Sequence, residues 1–249
     1  MMSSGRAIGG SGGVSSVARA MAILECFEEA EYLGVTQIAA RIGTAKSTAA
    51  RLLNTLRRAG VVEQDPESGR YHLGVRLYEW GQLTASRHDL RAAARPILRD
   101  LCTELDLTAA LVVPTADGVV HLDRAEPRTA VDFWARHGSA FSPRGAGGIV
   151  ISALRQGVCS GRVPSGSDGL SSSIARARDT GYALEFEQVI KSTASLAAPI
   201  RRFGGAEAAV ALIGDQRVYR SRSTLAELVA RSMRAARQIE TRRRRAGEK

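Results

Sequence analysis

Apolar residues recur at helical spacing in three stretches near the start of the chain. Val17, Ala20, Met21, Leu24 and Phe27 form one stripe, with Ser15 or Ser16 placed to cap it. Ile38, Ala39 and Ile42 form a second, short stripe, which Thr36 is placed to cap. Ala49, Leu52, Leu53 and Leu56 form the third. Gly43 lies between the last two and suits the left-handed turn that ends a helix; Gly60 stops the third. Two short helices across a glycine turn predict a helix-turn-helix, with the first stripe packed behind it. The period then shortens. Val61-Val62-Glu63-Gln64 and Arg70-Tyr71-His72-Leu73 read as strands around the turn chemistry of Asp65-Pro66-Glu67-Ser68-Gly69, a hairpin that would serve as a wing.

The pattern continues through the second half. Gly74 to about Arg87 reads as a helix with Leu77, Trp80, Gly81 and Leu83 on one side. A further helix follows Asp89, carrying Leu90, Ala94, Ile97, Leu98, Leu101 and Leu105, and Pro96 inside it predicts a kink or a restart. Residues 109–113, 119–123, 130–134, 196–200 and 208–213 read as strands, with Ala116-Asp117-Gly118 as a turn. Gly145 to Leu154 suits a short buried helix, residues 157–173 a Gly/Ser-rich mobile loop, and Ile174 to Thr180 a short helix ending at Gly181. Leu225, Leu228, Val229, Met233, Ala236 and Ile239 line a final helix from Thr224 to about Arg244. The expected class is α+β: an N-terminal winged helix-turn-helix, then a mostly antiparallel sheet flanked by helices.

The polar face of the third stripe carries the first functional signal. With the leucines inward, Lys46, Ser47, Ala50, Arg51, Asn54 and Arg57 or Arg58 face outward, and no carboxylate is among them. A helix entering a major groove needs small, hydroxylic and basic groups in its first turns. Arg51 suits a bidentate pair with guanine, Ala50 a thymine methyl, and Thr48 a phosphate. Arg70, at the wing tip, suits a minor groove or a phosphate. A solvated helix in a bundle is the bland reading of the same face; the hairpin directly after it favours the groove.

Net charge changes the picture less than its sum suggests. The 249 residues carry +10 at pH 7. Residues 1–90 hold 10 basic and 9 acidic side chains, whereas residues 91–249 hold 25 and 16, and residues 231–249 alone hold 8 and 2. The argument for DNA therefore rests on one helix face, and the basic C-terminus adds non-specific affinity for polyanions. The length suits two domains, and the 44% hydrophobic content suffices for their cores. Cys26, Cys102 and Cys159 are too few and too scattered for a disulfide framework or a metal site, which fits a reducing cytoplasm. No apolar run approaches the ~20 residues of a membrane span, and no signal-peptide core opens the chain.

Catalytic chemistry is not visible. His72, His88, His121 and His137 lack metal-ligand spacing, and alternation on one strand face accounts for His121 with Asp123. Ser139, Ser142 and Ser195 lack a nucleophile elbow, and Gly145-Ala146-Gly147-Gly148 lacks the Lys-Ser/Thr of a phosphate loop. No metal, cofactor or catalytic residue is expected. A ligand pocket in the second half would be lined by Leu111, Val113, Phe133, Trp134 and Phe141, with Arg144 to orient a carboxylate. The same apolar residues also read as core and Arg144 as a solvated loop residue. Asp123-Arg124 reads as an internal ion pair or a turn, and Glu185 as a surface residue or one that faces the pocket.

Ser16-Val17-Ala18-Arg19-Ala20, Thr36-Gln37-Ile38-Ala39, Lys46-Ser47-Thr48, Arg51-Leu52-Leu53, Asp65-Pro66, Gly69-Arg70-Tyr71 and Leu73-Gly74 closely resemble the IclR family of bacterial transcriptional regulators. Leu90-Arg91, Ala94-Arg95-Pro96, Leu122-Asp123-Arg124, Gly181-Tyr182-Ala183 and Ala197-Ala198-Pro199-Ile200 extend the resemblance over residues 15–240. It implies a winged helix-turn-helix, a linker helix and an effector domain similar to GAF and PAS domains, in dimers or tetramers that bind operator DNA. It also implies regulation by small organic acids or aromatic compounds. Where the family has a Thr-Ala-x-Gly-Lys-Ala helix start, this chain reads Arg144-Gly145-Ala146-Gly147-Gly148-Ile149, and Ser195 stands at a frequent Cys.

The resulting expectation is a cytoplasmic, ligand-responsive regulator, a repressor rather than an activator, binding a near-palindromic operator as a homodimer or homotetramer. Its DNA-contacting residues would be Thr36, Gln37, Lys46, Ser47, Thr48, Ala50, Arg51 and Arg70. Domains would run over 14–74 (winged helix-turn-helix), 75–90 (linker) and 91–240 (effector), between a disordered tail at 1–13 and a basic tail at 241–249. The alternative keeps DNA binding and leaves the second half to oligomerisation alone. Tyr78 and Trp80 on the linker suit either dimer contacts or packing within the subunit.

Overall fold

A computed structural model describes residues 15–86, 89–115, 118–128, 140–141, 145–154, 168–187, 191–202 and 205–247. The expected tail at 1–13, the strand at 130–134, the turn residues 116–117, and Phe133, Trp134 and Arg144 lie outside them. The chain divides between Thr84 and Ala85 into two compact units.

The first unit holds α1 (Ser15–Glu25), a 3-10 turn (Cys26–Glu28), α2 (Val35–Arg41), α3 (Lys46–Arg58), β1 (Val62–Gln64), β2 (Tyr71–Leu73) and most of α4 (Val75–Ser86). Ile23, Phe27, Leu33, Ile38, Leu53 and Val62 form its core. The first stripe is rotated from the expected face. Val17 and Met21 stay 60% and 49% exposed while Ile23, one turn before the buried Phe27 on the same face, is fully buried. The cap of α2 also differs. Gly34 is the N-cap, and Gln37, not Thr36, reaches back to accept its N–H at 2.9 Å.

Gly43, at φ 63°, closes α2. Thr44 N–H donates to Ala39 C=O (3.0 Å) and Gly43 N–H to Ala40 C=O (3.4 Å), the paired bonds of a Schellman turn. The wing pairs Val62 with Leu73 and Gln64 with Tyr71. Leu33 adds a third, unforeseen strip by exchanging two 2.9 Å backbone bonds with Tyr71. Gly74 closes the assembly: a Cβ there would lie 2.2 Å from Gly60 C=O, so only glycine lets the wing meet the end of α3.

The second unit is a six-stranded antiparallel sheet between two helical layers. Its strands are β3 (Thr108–Pro114), β4 (Val119–Ala125), β5 (Ala140–Phe141), β6 (Ala183–Phe186), β7 (Thr193–Arg202) and β8 (Gly205–Asp215), in the order β5-β4-β3-β8-β7-β6. One face packs on α5 (Asp89–Leu105) and on α9 (Arg222–Gly247), the latter entered through the short α8 (Gln216–Tyr219). The other face packs on α6 (Ala146–Leu154) and α7 (Asp168–Thr180). Alternation sorts β8 between them: Ala208, Val210 and Leu212 face α5 and α9, while Ala209, Ala211 and Ile213 face α6.

Three expectations change here. Helix α5 runs through Pro96 without a restart. Residues 168–173, read as loop, are the first turns of α7. Strand β6 and helix α8, four residues each, were not foreseen.

Candidate nucleic-acid interface

Helix α3 presents its N-terminus bare. Ala45 is its N-cap, in extended conformation, and offers no side-chain acceptor. The first internal bond is Ala49 N–H to Ala45 C=O, so the N–H groups of Lys46, Ser47 and Thr48 have no helical partner. A buried helix start without a cap would be costly; an exposed one attracts anions through its free N–H groups and its dipole. Lys46, Ser47, Ala50 and Arg51 are exposed around that start, and Thr48 is half-buried beside Ala49. Arg51 makes no ion pair with the described residues, whereas Arg57 donates to Asn54 Oδ1 at 3.2 Å. The leucine side holds the helix fixed, with Ala49 and Leu53 fully enclosed.

The flanking elements are rigidly held. In the wing, Asp65 accepts from Ser68 N–H (2.9 Å) and from the Ser68 hydroxyl, and these bonds hold its carboxyl below the usual range. Gln64 Nε2 donates to Gly69 C=O at 2.9 Å, and Arg70 projects exposed from this braced tip. Glu63 accepts from Val75 N–H at 3.0 Å and so caps α4. Thr36 and Gln37 are both exposed; the Gln37 carbonyl oxygen serves the α2 cap, and its amide NH2 bonds to none of the described residues. One residue near this face was not expected as a DNA contact. Arg19 of α1 lines a groove of about 770 Å³ together with Thr48, Arg51 and Asn54 of α3. Its signal was only a basic residue on the polar side of the first stripe.

Of the expected pocket residues in the second unit, Leu111 and Val113 are described with their surroundings. Leu111 is fully enclosed in the core toward α5 and α9, and Val113 packs half-buried on the same core. Leu111 is thus enclosed as the core reading of these residues has it. Phe141 lies in β5, paired with Val119. Asp123 and Arg124 do not pair through their side chains: Asp123 meets Arg91 of α5 at 3.2 Å, and Arg124 meets Glu126. A bulge between Leu111 and Val112 sets Asp123 opposite Leu111 but His121 opposite Val112. His121 and Asp123 thus lie on opposite faces of the sheet, not on one. Burial, with Arg124 nearby, pushes the His121 imidazole down to about 4. Glu185 is half-buried beside Ser173 and Arg176 of α7 rather than on open surface, and burial raises its carboxyl. The N-terminus of α6 is enclosed, with Ala146, Gly147 and Gly148 buried and Ala146 N–H directed to Ser195 Oγ at 3.4 Å.

A helix-turn-helix braced by a wing, with a bare and carboxylate-free recognition helix, defines a winged-helix DNA-binding protein. The comparisons narrow the class. Residues 16–66 match the IclR helix-turn-helix domain. The chain is 32% identical over 205 residues to a glycerol operon regulatory protein of Streptomyces griseus, covering 75% of this chain and 79% of that one. An IclR family transcriptional regulator from Brucella abortus superposes with a TM-score of 0.76 at 21% identity, over 96% of each chain. An IclR homolog from Microbacterium hydrocarbonoxydans, complexed with 4-hydroxybenzoate, superposes with a TM-score of 0.73 at 25% identity, over 92% of this chain and 99% of that one. The chain belongs to the IclR family and is a transcriptional regulator with a DNA-binding helix-turn-helix. Among the described residues, no helix is long and apolar enough to cross a membrane.

Proposed function

We propose that the protein is a ligand-responsive repressor that binds a near-palindromic operator as a homo-oligomer. The uncapped start of α3 carries this reading, because three free N–H groups beside Lys46 and Arg51 form a site for phosphate and base edges. Lys46, Ser47, Thr48, Ala50 and Arg51 read the major groove. Thr36 and Gln37, with Arg19, hold phosphates, and Arg70 holds the wing to the backbone. Arg51→Ala is expected to cost about 1–3 kcal/mol on a duplex that the protein itself has selected from a random pool, and to relax specificity there. Equal loss on selected and scrambled duplexes would make Arg51 a phosphate anchor instead.

Exposed apolar surface supports self-association. None of residues 75–84 of α4 is buried, and Val75, Tyr78 and Trp80 are 64%, 67% and 47% exposed. Such a surface suits a second copy better than water. The buried, carboxylate-free start of α6 beside Ser195 is compatible with a small carboxylate as effector, since a helix start favours an anion. Ligand binding to one arrangement of the oligomer would shift its affinity for the operator.

A second reading, assembly without sensing, rests on one contact. A Cβ on Gly147 would lie 2.8 Å from Val112 Cγ1, so α6 already sits on the sheet as closely as glycine permits and leaves no room between them. Thermal shift of the full chain with small carboxylates, 4-hydroxybenzoate among them, separates the readings. A stabiliser that also changes affinity for the selected duplex supports sensing; a panel with no such compound supports assembly alone.

A further inference from the structure

Helix α9 carries a charge pattern that the packing of the second unit does not use. Its inward side is filled by Leu228, Ser232, Ala235, Ala236 and Ile239. At 100° per residue, Arg234, Arg237, Arg244 and Arg245 fall on the opposite, solvent side, and all four are exposed. They span about 16 Å of helix. None forms an ion pair with the described residues. The nearby carboxylates are already taken: Glu240 accepts from Arg201 N–H at 2.6 Å, and Glu207 is paired by Arg202 and Arg243.

Arginines at a helix C-terminus complement its dipole, which accounts for Arg244 and Arg245. Arg234 and Arg237 lie two to three turns earlier, where that effect has faded. We infer that this arginine ladder is a second, sequence-independent contact surface for the phosphate backbone of duplex DNA, separate from the recognition helix. Guanidinium forks match phosphate oxygens, and a regular row of them suits a regular row of phosphates. An anionic membrane would need an apolar helix face to insert, and the apolar face of α9 is buried in the sheet. A protein partner would need an apolar anchor, and a single strand would need aromatic platforms; no large hydrophobic side chain is exposed on α9.

The test uses the full chain with Arg234, Arg237, Arg244 and Arg245 all changed to Gln, and circular dichroism to establish that it folds. Affinity for a random-sequence duplex is measured by anisotropy over a series of salt concentrations. Each lost phosphate contact should flatten the slope of log K against log salt by about 0.9, so the four changes should remove about 3.6. The preference for a selected duplex over a random one should rise, because only the non-specific part weakens. In Lys46→Ala/Arg51→Ala the opposite is expected: preference falls and most of the random-duplex slope remains. An unchanged slope in the four-arginine variant overturns the inference. So does an unchanged slope accompanied by lost binding to vesicles of anionic phospholipid, which would assign the ladder to membranes.

Discussion

The two units invert what their net charges suggest. The one that bears the recognition helix is nearly neutral, with 10 basic and 9 acidic residues over positions 1–90, while the remainder holds 25 and 16. Four of its carboxylates lie at Glu25, Glu28, Glu29 and Glu31, in and after the end of α1, three more at Glu63, Asp65 and Glu67 in the wing, and α3 has none. Placement, not sum, makes the interface. A few unpaired groups at a bare helix start can read bases, whereas a larger, diffuse excess elsewhere supplies only salt-sensitive attraction. The packing differs as well. The first unit has a small core that leaves residues 75–84 of α4 unburied, and the second is a three-layer stack whose sheet is buried on both faces.

The contrast can be broken at its strongest point by removing core from the larger unit. Leu212, fully enclosed between β8 and α5/α9, should cost about 3 kcal/mol when changed to Ala. Urea unfolding followed by tryptophan fluorescence and circular dichroism should show the loss, with DNA affinity per folded molecule unchanged. A pH effect of similar size resides in the same unit. His121 stays neutral in the fold down to about 4, against an ordinary 6.5, so the unfolded chain takes up a proton that the fold refuses. Stability is therefore full above pH 6.5 and falls as pH drops toward 4, by at most about 3 kcal/mol. His121→Gln should flatten that part of the pH profile; a profile of unchanged steepness would show that other groups set it.

Smaller effects sharpen the first unit. Gly74→Ala forces a Cβ against Gly60 C=O and should cost about 2 kcal/mol, read as a lowered midpoint for the DNA-binding unit together with weakened operator binding. Gln37→Glu separates two roles of one side chain. The carboxylate still accepts from Gly34 N–H, so stability should change by less than about 0.5 kcal/mol, while repulsion from phosphate should weaken DNA binding several-fold. Unchanged DNA affinity would confine Gln37 to its cap.

Legibility in the sequence follows the same division. Helix α3 could be read because one period governs both of its faces: every residue placed outward is exposed, and Ala49 and Leu53 are enclosed. The wing was legible from turn chemistry alone. Features that break a period were not. A single bridge at Leu33 has no repeat to announce it, and the bulge at Leu111/Val112 divided His121 from Asp123. Strand β6 is too short to show alternation. The pocket was the least legible part. A core lining and a ligand lining draw on the same apolar residues, and only three-dimensional enclosure shows that Leu111 belongs to the core.

The most direct measurement is anisotropy of the wild-type chain on a selected duplex and on its scrambled counterpart, at low and at physiological salt. If the face of α3 confers specificity, the selected duplex binds far more tightly, and the gap persists when salt weakens both. Equal affinities that fall together with salt would contradict the account, because charge alone would then explain all the binding.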